Sequence, residues 1–200
     1  PMRWLYYQQK TYANVNFGYN IADQVKREFL FILWNSYRFF TQHANLNNWQ
    51  VEEINLDTLS NPMDKWLISR LHTTTKKVTL SLEKYATSPS TQAIQDFVND
   101  LSTWYIRRSR DRNDNYSVLY YVFEQLFLLI SPFMPFLSDY LYQNLTKSGI
   151  SIHIQNWPEY DEKLIDKQLE NEMEIIRSLS QMGHAQRQIA NIKIRQPLAK

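Results

Sequence analysis

N-P-M-D-K-W-L-I-S-R-L, Asn61 to Leu71, holds a complete helix start. Asn61 can accept from a free backbone N–H of the first turn, and Pro62 suits the first helical position because its missing N–H would go unused there. Asp64 adds negative charge in the first turn. Leu67, Leu71, Val78, Leu82 and Tyr85 then keep one face apolar, so a long amphipathic helix is expected, ending near Ala86.

The same period returns on both sides. Downstream, Ser88-Pro89 repeats the cap-then-proline signal, and Ile94, Phe97, Leu101 and Trp104 form the stripe of the next helix, which Asn113 to Asn115 break. Leu119, Val122, Leu126 and Ile130 mark another, which Pro132 and Pro135 kink or end, and a short helix covers Phe136 to Leu145. Upstream, Ala22, Val25, Phe29, Leu33, Tyr37 and Phe40 recur at helical spacing behind Asn20 as cap. The run Phe29 to Trp34 is apolar on every side, as in the middle of a bundle.

Between these helices lie irregular stretches. Residues 1–19 mix Trp4, Tyr6, Tyr7, Tyr12, Phe17 and Tyr19 without a period and read as a connector, and Gln42 to Ser60 reads as a loop. Ile150, Ile152 and Ile154 alternate with polar residues, so Ile150 to Trp157 is one short strand or an extended segment. A last helix, Asp166 to Ile189, turns Leu169, Met173, Ile176 and Leu179 inward and runs from an acidic start to a basic end. The expectation is an all-α fold, a bundle of five to six helices with one short extended segment. It divides into a connector (1–19), the bundle (20–146) and a tail of extended segment plus C-terminal helix (147–200).

Composition narrows the chemistry. With 22 basic against 20 acidic residues and a net charge of +2, the chain is no general polyanion binder, so any nucleic-acid affinity must come from a patch. The absence of cysteine excludes disulfides, thiolate zinc sites and cysteine nucleophiles. The opening Pro1-Met2-Arg3-Trp4 is no signal peptide, and without an initiator methionine the chain is expected to be cut from a longer protein. Val118 to Leu137 is apolar but carries Glu124, Gln125 and two prolines, which argues against a membrane span. His43, His72, His153 and His184 share no metal-ligand spacing, and no phosphate loop, G-x-S-x-G or H-E-x-x-H occurs. The reading is a segment with no catalytic site, metal or cofactor of its own.

Binding chemistry remains, concentrated in W-Y-I-R-R-S-R-D-R, Trp104 to Arg112. Arginine forks grip phosphate oxygens and aromatic rings stack on unpaired bases, so this stretch suits an RNA loop. Arginines in a last helical turn are also what the helix dipole favours, and Asp111 is placed to pair with Arg107 or Arg108. On a regular helix Arg108 and Arg112 continue the apolar stripe, while Arg107 and Arg110 face away with Asp96, Asn99 and Thr103. The outward pair is the better RNA candidate, with Arg108 and Trp104 secondary. Arg187, Lys193 and Arg195 form a second basic edge, an RNA contact or an ordinary positive helix terminus.

N-D-L-S-T-W-Y-I-R-R-S-R, Asn99 to Arg110, resembles the signature of the helical anticodon-binding domain of isoleucyl-tRNA synthetases, class I aminoacyl-tRNA synthetases. P-M-R-W (Pro1 to Trp4), F-L-F-I-L-W-N-S-Y-R-F-F (Phe29 to Phe40) and D-K-W-L-I-S-R-L (Asp64 to Leu71) agree in order and spacing. So do S-P-F-M-P-F-L-S-D-Y-L-Y-Q-N-L (Ser131 to Leu145), S-I-H-I-Q-N-W-P (Ser151 to Pro158) and I-K-I-R-Q-P-L (Ile192 to Leu198). In one departure, the family's arginine run often continues into an aromatic, whereas here Asn113-Asp114-Asn115 follow Arg112.

The resemblance implies a non-catalytic arm that recognises the tRNA anticodon stem-loop for a monomeric, cytoplasmic isoleucine-tRNA ligase. ATP and Mg would be used by the whole enzyme, at a catalytic domain elsewhere in the full-length chain. A helical protein-interaction or scaffold module, or the same domain of a valyl- or leucyl-tRNA synthetase, is the alternative.

Overall fold

In the computed structural model, Asn61 accepts from the Met63 N–H at 2.9 Å and Pro62 opens the helix, as the sequence predicts. The structure describes residues 1–10, 12, 14 and 18–197. Phe17 of the opening segment and Leu198 of the I-K-I-R-Q-P-L stretch lie outside the described residues.

Among the described residues there are seven helical rods, one more than the upper expectation. We label them α1 (Met2–Gln8), α2 (Tyr19–Val25 continued through a π-turn, Lys26–Leu30, into Phe31–Leu46), α3 (Pro62–Glu83), α4 (Thr87–Asp100 continued by a π-turn, Leu101–Ile106), α5 (Tyr116–Ile130), α6 (Pro135–Thr146) and α7 (Lys167–Ile189). Two compact units divide the chain, Pro1–Ile165 and Asp166–Lys200.

In the first unit α3 lies along α4, α5 along α6, and α1 against α4. The core is aromatic: Trp4 stacks on Phe29 at 3.8 Å and meets Phe133 edge-on at 5.9 Å, while Tyr37 sits edge-on to Phe123 and Phe127. The T-shaped pairs add to the burial of large apolar rings. α1 corrects the reading of residues 1–19 as lacking any element: Trp4 and Leu5 are buried, and seven residues are too few to show a period.

Local corrections follow from backbone hydrogen bonding. α2 starts one residue before Asn20, behind Gly18, and runs on to Leu46, taking in the first five residues of the stretch read as a loop. Ser88 does not cap α4; its hydroxyl donates to the Gln8 carbonyl at 2.8 Å and ties α4 to α1. Ile150 to Trp157 forms no strand but a 3₁₀ turn over Ile152–Ile154, fastened when Asp139 accepts from the Ile152 N–H and the Ser151 hydroxyl.

The second unit is α7 and the chain that follows it. Asp166 caps α7 by accepting from the Leu169 N–H at 2.9 Å. Ile176 and Leu179 are exposed, so the stripe read as inward is not buried along its length. Among the described residues no helix is long and apolar enough to cross a membrane.

Candidate nucleic-acid interface

The arginine-rich turn after α4 is built on a carboxylate at the start of α3. Asp64 is buried and accepts from Arg112 Nη1 at 2.9 Å, Arg112 Nη2 at 2.7 Å and the Tyr105 hydroxyl at 2.6 Å. A buried carboxylate demands such partners, because charge without hydrogen bonds is costly in an apolar interior. Arg112 Nε donates to Asp114 at 2.8 Å, and the Ser109 hydroxyl donates to the Tyr105 carbonyl at 2.8 Å. Burial pushes the Tyr105 phenol far up, and the Asp64 charge adds to it. The hydrogen bond to Asp64 raises Arg112, and the one from Arg112 lowers Asp114. The pair is a fixed peg that pins the turn to α3.

The π-turn decides which side chains leave the core. Its i→i+5 bonding inserts a residue into the helical repeat. The buried positions therefore run Phe97, Leu101, Tyr105, Ser109 instead of continuing through Trp104 and Arg108. This corrects the division drawn on a regular helix. Arg108 does not continue the core stripe; it is exposed, its Cζ 4.1 Å over the half-buried Trp104 ring in a cation–π contact. Arg112 does face inward, against Asp64 of a neighbouring helix.

Arg107 and Arg110 are exposed as expected. Among the described residues, Arg107, Arg108 and Arg110 have no carboxylate partner, Asp111 included. Three arginines are thus displayed and one is anchored.

The other predicted residues belong to the second unit. Arg187 Nη1 donates to the carbonyls of Lys193 at 3.0 Å and Gln196 at 2.8 Å, folding the chain back after α7. Lys193 and Arg195 stand exposed. Arg187 thus organises this tail, while the other two have no carboxylate partner among the described residues.

Sequence reading missed Asp64, Tyr105 and Ser109 as the frame of the turn. Asp64 was visible only as a first-turn acid, and its partner lies 48 positions away. Among the described residues no group of three or more His, Cys, Asp or Glu is placed to hold a metal ion.

Comparisons with known proteins meet this geometry. Residues 64–200 match the family described as the anticodon-binding domain of tRNA ligase. Isoleucine–tRNA ligase of Clostridium acetobutylicum is 38% identical over 98% of this chain and 20% of its own length. That of Dehalococcoides mccartyi strain 195 is 36% identical over 99% of this chain and 21% of its own. That of Bacteroides fragilis strain YCH46 is 34% identical over 99% of this chain and 19% of its own. The chain thus spans about a fifth of the length of these curated relatives. In fold, it is similar to a chain in the ternary complex of Agrobacterium radiobacter K84 agnB2 LeuRS-tRNA-LeuAMS, with a TM-score of 0.61 at 20% identity over 82% of this chain and 20% of that one.

Proposed function

This chain belongs to the family of anticodon-binding domains of tRNA ligases, and from that premise we propose that it is the tRNA-gripping arm of an isoleucine-tRNA ligase. The observation that carries the proposal is the turn after α4. Among the described residues Arg107, Arg108 and Arg110 face solvent without carboxylate partners, while Arg112 locks the turn to Asp64. Displayed guanidinium groups on a rigid base are suited to phosphate oxygens, and the Trp104–Arg108 stack offers a flat face to an unpaired base. Lys193 and Arg195 supply a second set of cations. Similarity to isoleucine–tRNA ligases over nearly the whole chain supports the amino-acid assignment.

In this reading residues 1–19 lead in from the catalytic domain, 20–146 form the bundle, and 147–200 lead to a downstream region. The parent protein is a cytoplasmic monomer that uses ATP and Mg at its catalytic domain, and this arm contributes affinity and identity rather than bond chemistry.

The test separates the arm from the catalytic domain. In the parent protein, Arg107→Ala with Arg110→Ala is expected to raise the KM for tRNA-Ile by roughly tenfold, the loss of binding that precedes chemistry. Isoleucine-dependent exchange of pyrophosphate into ATP is expected to stay unchanged. An unchanged KM in a folded double variant would remove these arginines from RNA binding and favour a scaffold role. Exchange driven by valine or leucine in place of isoleucine would move the protein to a sister enzyme.

A further inference from the structure

A groove of about 510 Å³ opens between the C-terminal end of α2, α5 and the C-terminal end of α6. Its lining includes Tyr37, Trp49, Tyr120, Asn48, Asn144 and Lys147. The volume lies within the range of small-ligand sites, roughly 300–1,000 Å³. We infer that this groove receives one unstacked nucleotide of the bound RNA loop, its base against Trp49 and Tyr120 and its phosphate toward Lys147. This rests on the tRNA-binding reading above and adds a site to it.

Three features support the assignment. First, the Tyr37 ring is largely buried but its hydroxyl, which has no hydrogen-bond partner among the described residues, opens to solvent on the groove wall. Burial of the ring raises its phenol to about 12, so the hydroxyl stays a neutral donor available to a ligand in the groove.

Second, the walls combine the two things a base needs. Trp49 and Tyr120 present aromatic faces, their centroids 5.9 Å apart, while the Asn48 and Asn144 amides can both donate and accept toward a base edge. Asn48 and Lys147 hold left-handed backbone at φ 51° and 52°, where the chain turns out of α2 and α6.

Third, the groove is continuous with the arginine turn. Trp49 packs on Tyr116 at 6.2 Å, and the Tyr116 hydroxyl donates to Asn113 at 3.1 Å and accepts from Asn47 at 2.8 Å. Asn113 directly follows the anchoring Arg112. An RNA loop held by the displayed arginines therefore has a receptacle at the same end of the bundle.

The experiment uses the parent protein and anticodon stem-loop RNAs, each carrying 2-aminopurine at one loop position. At one position, binding is expected to change the fluorescence, and Trp49→Ala is expected to abolish that change and weaken affinity about tenfold, the scale of one lost base stack. Tyr37→Phe, which removes only the hydroxyl, and Lys147→Ala should each weaken binding of the same RNA severalfold. Unfolding midpoints check that the variants fold, and Trp49→Phe should restore most of the affinity.

If no loop position responds, or if folded Trp49→Ala, Tyr37→Phe and Lys147→Ala variants bind like the parent while Arg107→Ala with Arg110→Ala still weakens binding, the groove assignment is wrong and the arginine reading stands. If the unaltered protein binds no stem-loop or whole tRNA, both fall. Saturable quenching of Trp49 by free mononucleotides, with no response from RNA, would assign the groove to a small molecule and also overturn the proposal.

Discussion

Arg112 reaches back across 48 positions to grip Asp64 with two parallel hydrogen bonds, 2.9 and 2.7 Å long. The relationship joins the best-defined helix start in the chain to the end of the arginine run. Both partners lie largely out of solvent, at 21% and 6% side-chain exposure. A pair of this kind is strongly destabilising when broken from one side, because the remaining charge is left buried. Arg112→Met is therefore expected to cost near the lower end of about 3–5 kcal/mol in urea unfolding. Asp64→Asn combined with Arg112→Met should cost less than the sum of the two single changes. Additive costs would mean that the pair does not act as a unit.

Tyr105 tests the same peg from inside the core. Its hydroxyl donates to Asp64 at 2.6 Å, and Tyr105→Phe leaves the ring in place while removing that donor. The expected loss is about 1.5–3 kcal/mol, the range for hydrogen bonds to charged groups. A change below about 0.5 kcal/mol, the size of an ordinary surface substitution, would show that Arg112 alone satisfies the carboxylate.

The contrast between these residues and the arginines beside them shows what could be read in the sequence. Helix starts at Asn61 and Asp166 were legible because capping depends on two or three adjacent residues. The direction of Arg108 was not, because the π-turn at Leu101–Ile106 leaves no mark in residue type and moves the buried stripe from Trp104 to Tyr105. Ser88 carried the right cap signal but found a better acceptor in Gln8, a tertiary contact that local preference cannot anticipate. The groove beneath Trp49 was hidden for a related reason: its walls come from three separate parts of the chain.

His72 predicts a pH dependence. It is buried, its Nδ1 accepts from the Asp161 backbone N–H at 3.0 Å, and its Nε2 lies 3.5 Å from the Tyr121 hydroxyl. Burial lowers its pKa below the ordinary 6.5, with the Asp161 charge opposing. The folded protein therefore binds this proton less readily than the unfolded chain. The stability from neutral His72 is fully present above the unfolded value and is lost as pH falls below it, at no more than about 1.4 kcal/mol per pH unit. Urea midpoints from pH 7.5 to 5.5 should show this decline, and His72→Gln should flatten it. An equal slope in the variant would assign the decline to other groups.

Arg187 makes a local prediction confined to the second unit. Its two bonds to the Lys193 and Gln196 carbonyls hold the chain after α7. Exposed bonds of this type contribute on the order of 1 kcal/mol, so Arg187→Ala should increase opening of this tail about fivefold. Limited trypsin digestion should then cut faster after Lys193 and Arg195, while the unfolding midpoint of the first unit stays put. Unaltered cleavage would show that the backbone bond from the Ile192 N–H to the Arg187 carbonyl, at 2.8 Å, is sufficient.

The three displayed arginines and the one anchored arginine should part in their response to salt. A cation that meets a phosphate releases counterions, and each such contact to single-stranded RNA contributes about 0.7 to the slope of log affinity against log salt. Arg107→Gln, Arg108→Gln and Arg110→Gln in the parent protein should each flatten the slope for tRNA by about that amount. Arg112→Lys is expected to leave the slope unchanged and to lower the unfolding midpoint instead, because a lysine ammonium cannot reproduce the two-pronged grip on Asp64. If Arg112→Lys flattened the slope without loss of stability, the anchoring role would belong to another residue. If only two of the three outward arginines changed the slope, Arg108 would be the first to leave the phosphate contacts, since its guanidinium is already stacked on Trp104.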